Sequence, residues 1–102
     1  MVLVYVEDSL ILIAQSYNKI NLKSNAKTIY EKILILYPSN SLALNNISEL
    51  ESDQSKSFDY LHRAHILNKS KEIKLNYAKK LIQTKNPTSK IIIEELIKNQ
   101  NI

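Results

Sequence analysis

Apolar positions in this chain recur at helical spacing over most of its length. Leu10, Ile13, Ala14, Tyr17 and Ile20 form one set, and Ala26, Ile29, Tyr30, Ile33, Leu36 and Tyr37 form a second. Both keep the i, i+3, i+4, i+7 rhythm that puts side chains on one face of an α-helix. Asn21 to Ser24 separate them, a connection short enough to force an antiparallel pair. Small Ala14 and Ala26 fall where the two backbones approach, and the tyrosines fill the space beside them. Asp8 or Ser9 is placed to cap the first helix and Ser24 the second. Pro38 ends the second at about Tyr37, because a residue before proline is biased away from helical geometry.

The same spacing predicts four more helices. Ser39 or Ser41 starts a third, carrying Leu42, Leu44, Ile47 and Leu50, and Glu51 to Ser55 forms a polar turn. A fourth holds Phe58, Leu61, Ala64 and Leu67. Ser70 caps a fifth with Ile73, Leu75, Tyr77, Ala78, Leu81 and Ile82. Asn86-Pro87 suits a cap followed by proline in the first turn of a sixth, which runs through Ile91, Ile92, Ile93, Leu96 and Ile97. Leu44, Ile47 and Ser48 follow Leu10, Ile13 and Ala14 by 34 residues. Ser57, Leu61 and Ala64 follow Ala26, Tyr30 and Ile33 by 31, so the second copy loses three residues in or near its turn. The third copy is the loosest. Val2 to Val6 has strand propensity without a partner strand, and is expected to extend the first helix or to stand in for the end of an earlier one.

Leu10, Ile13, Ala14, Tyr17, Ala26, Tyr30 and Pro38 resemble a tetratricopeptide repeat, a helix–turn–helix unit with a period of about 34 residues. The repeat's usual glycine beside the first-helix aromatic is Ala14 here, and its second-helix alanine after Tyr30 is Ile33. The resemblance runs from Asp8 to Asn99, strongest in the first copy. It implies an all-α fold: a right-handed solenoid of about three antiparallel helical hairpins, built from six helices. These make a single domain over 1–102, with repeats at approximately 8–38, 41–69 and 70–99.

The implied function is a non-enzymatic interaction module that holds a peptide or helix of a partner protein in a concave groove. In such arrays the first helix of each pair lines the groove. By position that assigns Asp8, Ile11, Leu12, Gln15, Asn18 and Lys19 from the first copy. The second supplies Leu42, Asn45, Asn46 and Glu49, and the third Lys71, Lys74, Leu75 and Ala78. Of these, Ile11, Gln15, Asn18, Lys19, Asn45, Asn46, Glu49, Lys71 and Lys74 are the expected contacts. Asparagine offers both a donor and an acceptor, and so can clamp a peptide backbone. One subclass of the family holds C-terminal carboxylates through lysine, asparagine and arginine. Here its first-helix positions are Ile11 and Gln15, and its fifth-helix pair is Lys71 and Leu75, or Glu72 and Asn76 in a shifted frame. Asn46 fits the third-helix position, but most of the clamp's charges are absent, so binding of chaperone tails is not expected.

A looser resemblance joins Tyr5 to Ala14, with Tyr30 to Pro38, to repeats in bacterial envelope-assembly proteins. These include a lipoprotein that helps insert outer-membrane barrels. That lipoprotein needs a lipid-bearing cysteine, and this chain has none.

Composition narrows the chemistry. The chain has 102 residues, no glycine, no cysteine and two prolines. β-Hairpin turns and phosphate-cradling loops lean on glycine, and disulfides, thiolate metal sites and cysteine-linked lipid anchors need cysteine. Met1 to Val6 is apolar but short, has no basic lead-in, and is followed at once by Glu7 and Asp8. It therefore predicts neither a secretory signal nor a membrane span, and a cytoplasmic location is expected. Residues 1–68 carry net −1 and residues 69–102 net +5. The basic end makes nucleic acid the alternative partner, although its lysines lack the interleaved arginines and exposed aromatics that single-strand binding requires.

Asp59, His62 and His65 share a helical face, but depart from the helical His-Glu-x-x-His zinc spacing. Glu49, Glu51 and Asp53 cluster at a turn, and Glu94 and Glu95 on a helix, with nothing to enclose them. No catalytic, metal or cofactor site is expected. Such stacks bury their core over about three units and usually end in a polar cap. Ile91 to Ile93 and Leu96 give an apolar end instead. The array is therefore expected to continue in a longer protein or to bury its ends against a partner or a second copy.

Overall fold

The computed structural model describes residues 6–100, which form six helices: α1 (Val6–Lys19), α2 (Lys23–Leu36), α3 (Ser41–Leu50), α4 (Gln54–Leu67), α5 (Lys71–Gln83) and α6 (Thr88–Gln100). No strand occurs among the described residues. Residues 2–5 of the segment with strand propensity lie outside the described residues, and Val6 opens α1. Each helix packs mainly on its neighbours in the chain. The radius of gyration is 14.7 Å and the extents are 43 × 29 × 23 Å. A compact domain of this length would have a radius of gyration of about 13 Å.

Without glycine, the turns find other means. Asn21 (φ 67°) and Lys85 (φ 56°) adopt the left-handed conformation that glycine would take. Each closes a helix with the same pair of bonds. Leu22 N–H donates to Tyr17 O (2.8 Å) and Asn21 N–H to Asn18 O (3.0 Å). Asn86 N–H donates to Leu81 O (2.8 Å) and Lys85 N–H to Ile82 O (2.9 Å). This is the Schellman arrangement, which satisfies carbonyls left free at a helix end. The α1–α2 and α5–α6 turns are therefore built alike. The α3–α4 turn differs: Asp53 caps α4, its Oδ1 accepting from Ser55 N–H (2.9 Å) and Lys56 N–H (3.1 Å).

Caps depart from expectation in three places. Residue 22 precedes α2 and no side chain caps that helix, so Ser24 lies inside its first turn. α1 is already helical at Val6, so Asp8 and Ser9 lie within its first turn too, where the Glu7 and Asp8 carboxylates favour the positive end of the helix dipole. Asn40 caps α3, accepting from Ala43 N–H at 2.8 Å. Ser70 caps α5 as expected, through Ile73 N–H (3.3 Å). Asn86 Oδ1 accepts from Thr88 N–H (2.9 Å) beside Pro87, so the sixth helix begins just after the proline. Tyr37 leaves the helix at φ −135°, ψ 73° ahead of Pro38. At the equivalent place before α5 there is no proline. There Asn68 turns the chain, its Oδ1 accepting from Ser70 N–H (2.9 Å).

Three apolar clusters run along the molecule. The first joins Ile11 and Ala14 of α1, Ala26, Tyr30 and Ile33 of α2, and Ala43 and Ile47 of α3. The second, smaller, is Leu44, Ala64 and Ile73, with Leu34 and Tyr60 against it. The third joins Leu61 of α4 to Tyr77, Ala78 and Leu81 of α5 and Ile92 of α6. Several residues expected inside are not. Ile13, Ile20, Leu36, Leu42, Leu67, Leu75, Ile82, Ile91 and Ile97 are all more than 40 % exposed, Ile20 at 66 % and Ile97 at 67 %. On α1, Ile11 is buried where Ile13 was expected. Leu10 to Ile13 is apolar all round, so its neighbours choose the inward side.

Candidate functional site

Three hydrogen bonds relate the odd-numbered helices. Asn40, capping α3, donates through Nδ2 to Glu7 Oε2 of α1 at 2.7 Å. Ser41 at the head of α3 accepts from Asn68 Nδ2, just ahead of α5, at 3.1 Å. Farther along, Asn76 Nδ2 of α5 donates to Asn45 Oδ1 of α3 at 3.1 Å. The first two bring the N-terminal ends of α1, α3 and α5 together.

The last bond belongs to a chain of carboxamides. Asn45 Nδ2 donates to Asn46 Oδ1 (3.3 Å), and Asn46 Nδ2 donates to the Tyr30 hydroxyl (3.1 Å). Asn45 is 1 % exposed, so these bonds satisfy an amide that would otherwise be costly to bury. Beneath it, Ser48 Oγ donates to Asn45 O and Ser57 Oγ to Ser48 O, each at 2.6 Å. Burial pushes the Tyr30 phenol above its ordinary pKa, against the lowering effect of its bond to Asn46. The hydroxyl therefore remains protonated at neutral pH.

Beside this chain lies an open cleft of about 250 Å³ between α3 and α5, lined by Ser48, Glu49, Leu61, Asn76, Lys79, Lys80 and Gln83. The positions assigned by resemblance fall in different places. Asn46 is half-buried in the carboxamide chain and Glu49 is exposed at the cleft. Gln15 and Lys19 are exposed on α1, and Asn18 Oδ1 accepts from Lys23 Nζ (2.7 Å). Asp8, Leu12 and Lys71 are exposed as well. Ile11 and Asn45 are packed inside and present no side chain to a partner, and Ala78 is buried. Lys74 pairs with Glu95 of α6 (3.7 Å). On α5 Asn76 bonds to α3, and Lys79, Lys80 and Gln83 line the cleft beside it. Their three- and four-residue steps mark a polar helical face, and the shifted frame that pairs Glu72 with Asn76 is the signal for it.

The remaining candidates separate. Asp59 pairs with Arg63 on the surface (3.6 Å), while His65 turns inward and stacks on Tyr77 with ring centres 4.7 Å apart. Asp59, His62 and His65 therefore do not converge, and no group of three potential metal ligands forms among the described residues. Glu51 accepts from Asp53 N–H (3.1 Å) and pairs with Lys27 (3.1 Å). The backbone bond first and the lysine second hold its carboxyl below the usual range. The bond to Glu51 in turn raises Lys27.

Two further grooves share Tyr60 and Arg63. One, of about 470 Å³, adds Ser55, Lys56 and Asp59, and the other, of about 310 Å³, adds Glu31, Leu34 and Ile35. No helix among the described residues is long and apolar enough to cross a membrane. No protein-family model matches the chain, and a search of the curated proteins finds no match to it.

Proposed function

We propose that the chain is a non-enzymatic protein-interaction module of tetratricopeptide type, a short solenoid that holds a peptide segment of a partner along its odd-numbered helices. The carboxamide chain from Tyr30 through Asn46 and Asn45 to Asn76 carries this reading. It sets donors and acceptors in register across α3 and α5 beside an open cleft. Asn45 is sealed within that chain, but Asn76 and Gln83 line the cleft, and their carboxamides suit a peptide main chain, which offers one N–H and one C=O per residue. Lys79 and Lys80 add two positive charges and Glu49 one negative at the rim. The side-by-side heads of α1, α3 and α5, and the matching turns of the first and third hairpins, support a repeat architecture. The elongated shape supports it as well.

A display screen of random peptides on the full chain tests the reading. Enriched peptides should bind with little dependence on salt, and should lose at least about tenfold in affinity with Gln83→Ala or Lys79→Ala, changes confined to exposed side chains. Peptides unaffected by both changes would refute the site. Retention on nucleic acid that falls steeply with salt would instead favour the basic end as the working surface.

A further inference from the structure

The seam between α4 and the α5–α6 hairpin contains the one buried side-chain polar atom without a hydrogen-bond partner among the described residues, His65 Nδ1. His65 is 9 % exposed. Its ring lies on that of Tyr77 at 4.7 Å, and Tyr77 also meets Phe58 (5.8 Å) and His62 (5.6 Å). Leu61, Ala78, Leu81 and Ile92 complete the apolar contact that joins the three helices. The imidazole is thus packed as an aromatic ring.

The charges around it come from every element at the seam. Lys69 before α5, Lys74 on α5 and His62 on α4 all oppose a positive charge at His65, and Glu95 on α6 alone favours one. That carboxylate is already engaged by Lys74 at 3.7 Å. Burial first, and the two lysines next, hold His65 below its ordinary pKa of 6.5.

We propose that this seam is a proton-operated latch: uptake of one proton by His65 in mild acid releases the α5–α6 hairpin from α4. A neutral ring can sit there with one nitrogen unpaired. A protonated ring adds an N–H donor at the buried Nδ1, which has no acceptor, and a full charge beside two lysines. The Tyr77 face offsets only part of that, because tyrosine is a weak cation acceptor beside the loss of water. Borrowing Glu95 would strip Lys74 of its partner. Opening returns His65 to water and restores its ordinary proton affinity. The opening constant therefore rises as pH falls below 6.5, by at most about tenfold per pH unit. The latch rests on the packing of the seam and not on the peptide-binding reading. Its consequence would be to carry Asn76, Lys79 and Gln83 away from α3.

Amide hydrogen exchange on the full chain tests it, at about pH 7.5 and about pH 5.5 and corrected for intrinsic rates. Amides of α5 and α6 should lose protection relative to those of α1 and α2, by up to about tenfold. The His65 ring signal should titrate below 6.5. His65→Phe, which keeps an aromatic ring against Tyr77, should remove the pH response, and His62→Gln should keep it. An acid response that survives His65→Phe, equal loss across all six helices, or no loss would overturn the latch. So would a His65 titration at or above 6.5 in the natural chain, a result that does not depend on any variant folding.

Discussion

Replacing Leu44 by alanine should destabilise the whole chain more than any comparable change on its surface. Leu44 is fully buried, against Ala64 of α4 and Ile73 of α5, with Leu34 of α2 and Tyr60 of α4 completing the contact. It is the residue of α3 that joins the first and third hairpins through the middle one. Leucine-to-alanine changes in cores cost about 2–5 kcal/mol, more where the surroundings cannot close on the gap. Here the neighbours come from three other helices, each held by its own packing, so collapse is limited and about 3–4 kcal/mol is expected. A domain of this size is stable by about 5–15 kcal/mol, so the loss is a large share of the total. The thermal midpoint should fall by roughly 15–25 °C. Urea titration followed by circular dichroism measures the change, with Leu42→Ala as the comparison. Leu42 is 42 % exposed on the same helix and should cost at most about 1 kcal/mol. A Leu44→Ala cost under about 1 kcal/mol, or one equal to that of Leu42→Ala, would refute the packing of α3 between the two outer hairpins.

Other changes probe the polar joints. Ser57→Ala leaves Ser48 O, a carbonyl near the C-terminal end of α3, without its 2.6 Å donor, and should cost about 1–3 kcal/mol by urea titration. Asp53→Ala removes the cap of α4 and should cost about 1 kcal/mol, while Asp53→Asn should recover most of it. Lys85→Gly relieves a left-handed position and should raise stability by about 0.5–1 kcal/mol in the same assay. Stability should also fall in two acid steps. The His65 contribution is complete above the ordinary pKa of 6.5 and declines below it, because the unfolded chain takes up the proton first. The Glu51 contribution is complete above 4.5 and is lost as pH falls through its lowered native value. Denaturant titrations of Glu51→Gln and His65→Phe across pH should each remove one step.

Local chemistry alone was enough to predict six helices and most of their limits. Pro38, Ser70 and Asn86-Pro87 act through bonds within a few residues of themselves, so their effect is visible without knowing the fold. The cap assigned to Ser24 failed for a related reason. The Schellman bonds at Asn21 and Leu22 close α1 and lead straight into α2, and they need a left-handed residue, which in a glycine-free chain carries no obvious mark. Among the expected contact residues, Asn46 and Glu49 lie at the α3–α5 face. Asn45 is sealed beneath that face by Asn76, a residue 31 positions away. Spacing could not foresee this, since it gives only the direction of a side chain and not what covers it.

Helix periodicity determined where the elements are, and the contacts between helices determined which side of each is inside. α1 is apolar around its circumference from Leu10 to Ile13, so its own pattern is equally consistent with Ile11 or Ile13 facing the core. Packing against α2 and α3 selects Ile11. The burial of the polar residues Ser57 and His65 on α4 likewise follows from α3 and α5 packing against it. Hydrogen bonds of helix ends are made within one turn and can be inferred from neighbours in sequence, whereas burial is a property shared by surfaces that only folding brings together.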